Sequence, residues 1–210
     1  LAGVASAHLA GNLFNDHFDH SSGADGEHSG KSPFFGGSGV IQQGLVSSST
    51  VLYMGAVSLG ISVICGLSIF MVTGDAAFLL LMACAGILTV GYTAPPLRLA
   101  YRRLGELDIF MLFGVLLVAS SYYLFTGTFS SEAVLASFPV SFLIGAVILC
   151  NEVPDLDNDM RAGKRNLVSL FGKNNAYLIY AAVLTLSYIS VLFNIGNGVI
   201  SPWAVVLLVL

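Results

Sequence analysis

An all-α bundle of membrane-crossing helices is the fold class this sequence predicts, and three observations predict it. Hydrophobic residues make up 56% of the chain and charged residues 10%, against about 25% charged in ordinary soluble domains. The apolar residues gather into runs close to the ~20 residues a hydrocarbon core requires. All eight basic residues fall on one side of the alternating path those runs describe.

The runs place helices at about 1–18, 46–73, 76–93, 104–127, 132–153 and 174–196, with a seventh begun at 201. Turn-forming chemistry separates them at Thr73-Gly74-Asp75, Ala94-Pro95-Pro96, Thr126-Gly127-Thr128 and Asn197-Gly198. The 21–44 stretch is rich in glycine and serine, cannot span, and reads as a long loop of the kind that is often functional. Leu1 and Leu210 both lie inside apolar patterns, and no basic n-region marks a signal peptide. The expectation is one transmembrane domain over 1–210, cut at both ends.

If the helices alternate, one side receives the loops 19–45, 94–103 and 154–173. Lys31, Arg98, Arg102, Arg103, Arg161, Lys164, Arg165 and Lys173 all fall there, while the other side holds Asp75 and Glu132 and no basic residue. The positive-inside rule makes the basic side cytoplasmic. The expected location is therefore the cell membrane, multi-pass, with the charged site opening to the cytoplasm. Ten of the twelve acidic residues collect on the same side, which that rule does not explain. A net charge of −4 gives no case for nucleic acid. Cys65, Cys84 and Cys150 sit in apolar runs without CxxC spacing, which argues against a disulfide framework or a zinc site. The four histidines lack HxxxH spacing and read as surface or hydrogen-bonding groups.

Two acidic clusters close membrane helices on that side. In the first, Asn12, Asp16 and Asp19 are spaced i, i+4, i+7, Asn15 and Asp19 are i, i+4, and Asp25 follows Gly23, able to fold back toward the same face. In the second, Asn151, Asp155 and Asp159 are four apart, and Pro154 removes a helical hydrogen bond and should kink the backbone. Either cluster alone reads as a solvated turn; the matched spacing of the two does not. Carboxylates at membrane depth are costly and default to a functional hypothesis. Two acidic faces cannot neutralise each other, so they call for cations. Hard oxygen donors suit magnesium, which completes its shell with water and substrate phosphates. The nearby Arg98, Arg161, Lys164 and Arg165 are what a diphosphate would also want. A charged head and a greasy bundle together fit an isoprenyl diphosphate. A third segment, Tyr92 to Asp108, carries Pro95, Pro96 and Arg98 and faces the same side. No general base is evident in these motifs.

Together these segments resemble the UbiA superfamily of membrane prenyltransferases. The family's first motif, Asn-Asp-x-x-Asp with a further Asp, is matched by Asn15, Asp16, Asp19 and Asp25, and its second, Asp-x-x-x-Asp, by Asp155 and Asp159. The Tyr92–Glu106 loop is similar to the family's tyrosine-plus-basic loop, with Arg98 where the family has lysine. The stretches NDHFDHSSGAD, GGSGVIQQGL, YTAPPLRLAYRRLGEL and Gly163-Lys164-Arg165 look closest to the 1,4-dihydroxy-2-naphthoate polyprenyltransferases of menaquinone synthesis.

The resemblance implies nine transmembrane helices around a central cavity, about seven of them in this chain. It implies magnesium held by Asp16, Asp19, Asp25, Asp155 and Asp159, with Asp19, Asp155 and Asp159 catalytic. Asn15, Asn151, Tyr92, Arg98, Lys164 and Arg165 would bind substrate, and the partners would be an isoprenyl diphosphate, an aromatic acceptor and the lipid bilayer. The acceptor could also be 4-hydroxybenzoate, homogentisate or a non-aromatic lipid precursor. Two rivals were weighed. CDP-alcohol phosphotransferases share the acidic membrane site, but their Asp-Gly-x-x-Ala-Arg signature is absent. A cation-coupled transporter would place carboxylates near helix centres, whereas here they cluster at one edge.

Overall fold

The computed structural model describes residues 1–25 and 37–208, with side chains to residue 206. Seven α-helices and no strand occur among the described residues: α1 (Ala2–Ser22), α2 (Ser48–Thr73), α3 (Ala76–Gly91), α4 (Gly105–Thr126), α5 (Ser131–Arg161), α6 (Leu167–Phe171) and α7 (Ala176–Gly196). The α2 and α4 helices, α5, and α7 with the turn before it are long and apolar enough to cross a membrane; α3 is apolar but only 16 residues long. Part of the expected 21–44 loop, with Lys31 and His28, lies outside the described residues.

Local chemistry sets the helix ends. The Ser47 side chain accepts from Thr50 N–H to start α2, and Gly74, at φ 68°, ends it. Asp75 accepts from Ala77 N–H at 2.9 Å to start α3. Ser130 caps α5 through the N–H groups of Glu132 and Ala133.

The bundle is apolar outside and partly polar within. Ile64 is 65% exposed and Met71 81%, while Ser137 and Ser141 are completely buried. That inversion suits a lipid surround, where helices associate through small side chains and interhelical hydrogen bonds. The α5–α7 contact shows why. Pro139 lacks the N–H that would satisfy the Leu135 carbonyl one turn back. Asn194 on α7, 1% exposed, donates to that carbonyl at 2.9 Å, and Ser187 donates to the Pro139 carbonyl at 3.0 Å. Where α4 meets α5, a Cβ added at Gly114 would lie 2.8 Å from the Ser141 Cα. Gly114 sits in a π-helical stretch, Phe110–Leu116, that interrupts α4.

Three boundaries differ from the sequence expectation. The α5 helix does not stop near 153 but runs through Pro154 to Arg161, so Asn151, Asp155 and Asp159 share one continuous helix. A short helix, α6, stands in the expected 154–173 loop, closed at its start by a reciprocal Asn166–Ser169 capping box. The segment from 201 forms a 3₁₀ helix, Pro202–Leu208.

Candidate active site

The polar ends of α1, α3, α4 and α5 meet around a cavity of about 180 Å³. The α1 helix supplies Asn15 and Asp19. Gly23, at φ 79°, turns the chain so that Ala24 N–H (2.9 Å) and Asp25 N–H (3.3 Å) both reach the Asp19 carbonyl, which brings Asp25 to the cavity wall. The loop returns at Gly37, where an added Cβ would lie 3.0 Å from Asp25 Oδ1. Asn151, Glu152, Asp155 and Asp159 line the wall on α5, and Lys164 and Asn166 follow it. Tyr92, just past α3, and Gly105 on α4 complete the mouth, with Asp108 on the wall about one turn further along α4.

Lys164 organises the two acidic clusters. Its Nζ lies 2.9 Å from Asp19 Oδ2 and 3.7 Å from Asp159 Oδ1. Burial would lower its pKa, but Asp19 and Asp159 raise it well above the usual 10.5. Tyr101 donates to Asp19 Oδ1 at 2.8 Å and is 2.6 Å from the Ser22 hydroxyl. Burial, then Asp19 beside it, push that phenol above its ordinary value and keep it a donor. Burial likewise raises Tyr92. Asn166 donates to Asp159 Oδ2 at 3.3 Å. Burial first, then Asp19 and Asp16, push Asp25 up to about 7, although Gln42 donates to it at 3.1 Å. This is an acidic site short of positive charge.

Of the residues picked from the sequence, Asn15, Asp19, Asp25, Tyr92, Asn151, Asp155, Asp159 and Lys164 line the one cavity. Asp16, Arg98 and Arg165 do not line it. The Asp16 carboxylate accepts instead from the Ser38 N–H (3.2 Å) and hydroxyl (2.5 Å), tying α1 to the returning loop. Arg98 lies with its guanidinium 3.9 Å from the Tyr101 ring centroid, so it acts on Asp19 at one remove. Arg165 is exposed, and its carbonyl accepts from Arg103 N–H.

The sequence reading did not single out Tyr101, Glu106, Asp108, Glu152 or Asn166. Glu106 and Glu152, 9% exposed each, interact across α4 and α5, and Glu106 accepts from the Leu167 N–H that begins α6. Tyr101, Glu106 and Asp108 lie in a quoted charged segment, but helix rotation, not spacing, separates them from Arg102 and Arg103 there.

The donors are carboxylate and amide oxygens, and the Asn15 carbonyl oxygen is buried without a hydrogen-bond partner. Among the described residues no three acidic, imidazole or thiol groups stand close enough together to hold a metal ion by themselves. The set fits a hard divalent cation that takes the rest of its shell from water and phosphate. Leu112, Phe113 and Ile148 add apolar surface to the lining, beside His8 and Asn12 of α1.

Comparison with known proteins adds a lineage to this geometry. The model of the UbiA prenyltransferase family matches residues 1–210. A 1,4-dihydroxy-2-naphthoate octaprenyltransferase of Bacillus subtilis (strain 168) is 30% identical over 197 residues, 93% of this chain and 61% of that protein. A UbiA prenyltransferase domain-containing protein 1 of Dictyostelium discoideum is 32% identical over 194 residues, 90% of this chain and 57% of that protein. A 2-carboxy-1,4-naphthoquinone phytyltransferase of Synechocystis sp. (strain ATCC 27184 / PCC 6803 / Kazusa) is 30% identical over 138 residues, 64% of this chain and 44% of that protein. The chain thus spans less than two thirds of the length of these relatives. No solved structure matches it.

Proposed function

The chain belongs to the UbiA prenyltransferase family, and from that membership we propose that it transfers a polyprenyl group from an isoprenyl diphosphate to 1,4-dihydroxy-2-naphthoate in menaquinone synthesis. The observation that carries this reading is the single cavity on which Asp19, Asp25, Asp155, Asp159 and Lys164 converge, with an apolar wall behind them. The activities for which the Bacillus and Synechocystis relatives are named favour a naphthoate-type acceptor over 4-hydroxybenzoate or homogentisate.

Asp19, Asp25, Asp155 and Asp159 would hold magnesium, which supplies charge neutralisation for the diphosphate and stabilises it as a leaving group. Lys164 adds an ammonium to the phosphate oxygens, a point charge already held between Asp19 and Asp159. Tyr101 and Asn166 fix the rotamers of those two carboxylates, and Asn15 and Asn151 flank them. Leu112, Phe113 and Ile148 receive the first isoprene units and keep water from the allylic cation. The basic loops at the charged end of the bundle support, by the positive-inside rule, a site opening to the cytoplasmic side of the membrane.

The test uses membranes carrying the full-length protein and geranylgeranyl diphosphate, offered 1,4-dihydroxy-2-naphthoate, 4-hydroxybenzoate or homogentisate in turn. Magnesium-dependent prenylation of the naphthoate is expected. Transfer to another ring alone would move the acceptor assignment. Failure to bind geranylgeranyl diphosphate at any magnesium concentration would refute the prenyltransferase reading.

A further inference from the structure

Asp108 is 4% exposed, and neither of its carboxylate oxygens has a hydrogen-bond partner among the described residues. It lines the cavity. No salt bridge reaches it among the described residues. This separates it from the other buried acids. Asp19 and Asp159 are tied to Lys164, and Glu106 holds the start of α6 while facing Glu152. Buried polar groups are nearly always paired, and an ionised carboxylate can only accept. An ionised Asp108 would need a hydrogen-bond donor, and the cavity it lines is where one can enter.

The position says which donor. On α4 the cavity face is Gly105, Asp108, Ile109, Leu112 and Phe113, the i, i+3, i+4, i+7, i+8 stripe of one helix side. Gly105 marks the mouth, where an added Cβ would lie 3.3 Å from the Tyr92 ring. Phe113, about 12 Å further along the axis, marks the apolar depth, its ring edge-on to His8 with centroids 5.1 Å apart. Asp108 lies about one turn in from the mouth, at the step between the diphosphate-binding charges and the apolar lining. The helix widens into its π-helical stretch two residues later, a feature frequent at functional sites. A neutral hydroxyl on a flat, apolar molecule needs only an acceptor.

We propose that Asp108 receives the acceptor ring's hydroxyl adjacent to the carbon that is alkylated, and takes its proton as the new bond forms. The inference rests on the prenyltransferase reading above. In the step, the prenyl C–O bond breaks and its electron pair leaves with the diphosphate. The ring carbon's π electrons form the C–C bond to the prenyl carbon, and the O–H proton passes to Asp108, leaving a ketone. The alkylated ring carbon then loses its proton to the diphosphate, or its carboxyl group as carbon dioxide. The electron pair released restores the aromatic ring, and Asp108 returns its proton to the oxygen. The carboxylate ends as it began, with no external oxidant or base.

The experiment compares wild type with Asp108→Asn and Asp108→Ala in membranes of the full-length protein. Magnesium-dependent binding of geranylgeranyl diphosphate is measured first and is expected to stay within about twofold in all three, which also shows that the variants fold. Transfer to 1,4-dihydroxy-2-naphthoate should then fall by about a hundredfold or more in kcat for Asp108→Asn, which keeps the shape and loses the proton acceptor. As a separate readout, 1-hydroxy-2-naphthoate and 1-methoxy-2-naphthoate compete as inhibitors. Wild type should prefer the free hydroxyl by about tenfold, the scale of a hydrogen bond to a charged group, and Asp108→Ala should lose the preference. Unchanged kcat in Asp108→Asn, or a preference that survives Asp108→Ala, overturns the assignment. Loss of diphosphate binding in the variants overturns it too, placing Asp108 in the metal site instead. Wild type that binds no prenyl diphosphate brings down the parent reading, and that outcome is seen before any variant is compared.

Discussion

Replacing Lys164 with methionine removes the one ammonium among the described residues lining the cavity while keeping most of the side chain's length. In the structure that group lies 2.9 Å from Asp19 Oδ2 and 3.7 Å from Asp159 Oδ1, carboxylates 2% and 3% exposed. An effective dielectric of about 20 gives about 6 and about 4 kcal/mol of direct attraction. Desolvation of all three groups offsets most of it. The loss on leaving the two acids buried without their cation is about 3–5 kcal/mol. For a chain of this size each kcal/mol moves the melting temperature by about 2–4 °C, so Lys164→Met should melt roughly 6–20 °C lower in detergent.

The sign with pH follows from the raised pKa. The lysine's contribution is full below about 10.5 and is lost only as pH rises through its still higher folded value, so any change in the deficit across neutral pH reports the two carboxylates and not the lysine. Adding Asp19→Asn to Lys164→Met should restore part of the stability, because one stranded charge is removed, and the double-mutant cycle reads the coupling. In turnover, the KM for geranylgeranyl diphosphate should rise about tenfold while that for the acceptor stays within about twofold. An unchanged melting temperature together with an unchanged diphosphate KM would refute both roles.

Asp155→Asn should insert and fold normally yet abolish turnover, since an amide is less costly than a carboxylate in an apolar setting but is a poorer ligand for a hard cation; wild-type activity at ordinary magnesium would end the ligand assignment. Asp25 is held protonated up to about pH 7 by burial and by Asp19 and Asp16, so magnesium must displace a proton to use it. Apparent magnesium affinity should climb up to about tenfold per pH unit below 7 and level off above, and a titration series showing no such slope would remove Asp25 from the site. Arg98→Lys keeps the charge but loses the flat guanidinium over Tyr101. A drop of about two- to fivefold in kcat/KM is expected for a lost cation–π contact, and a loss of a hundredfold or more would point to direct phosphate contact instead. Gly114→Ala forces a methyl against the Ser141 backbone and should cost about 1–3 kcal/mol, whereas Gly145→Ala, whose nearest neighbour would be 3.9 Å away, should be tolerated in the same melting assay.

Much of this architecture is written locally. Apolar run lengths located α1 to α5 and α7, and Ser47, Gly74, Asp75 and Ser130 set ends within a residue or two of the limits of those runs. The four-residue spacing of Asn151, Asp155 and Asp159 needs only helical geometry to share a face. The meeting of the α1 and α5 acids followed from putting alternating helix ends on one side. These features depend on interactions within a few residues, and sequence displays such interactions directly.

What the tertiary structure decided depends on how each helix is rotated and on which distant segment arrives beside it. Asp16 and Asp19 are three residues apart on one helix, yet one holds Ser38 and the other meets Lys164, 145 positions along the chain. Tyr101 reaches Asp19 across 82 positions, and Asn194 repairs the carbonyl that Pro139 leaves open, 59 positions from Leu135. Asp108 carries no local mark distinguishing it from the charged loop before it. Its isolation arises because burial removes water while no cation among the described residues forms a salt bridge with it, and a one-dimensional pattern does not contain that distance.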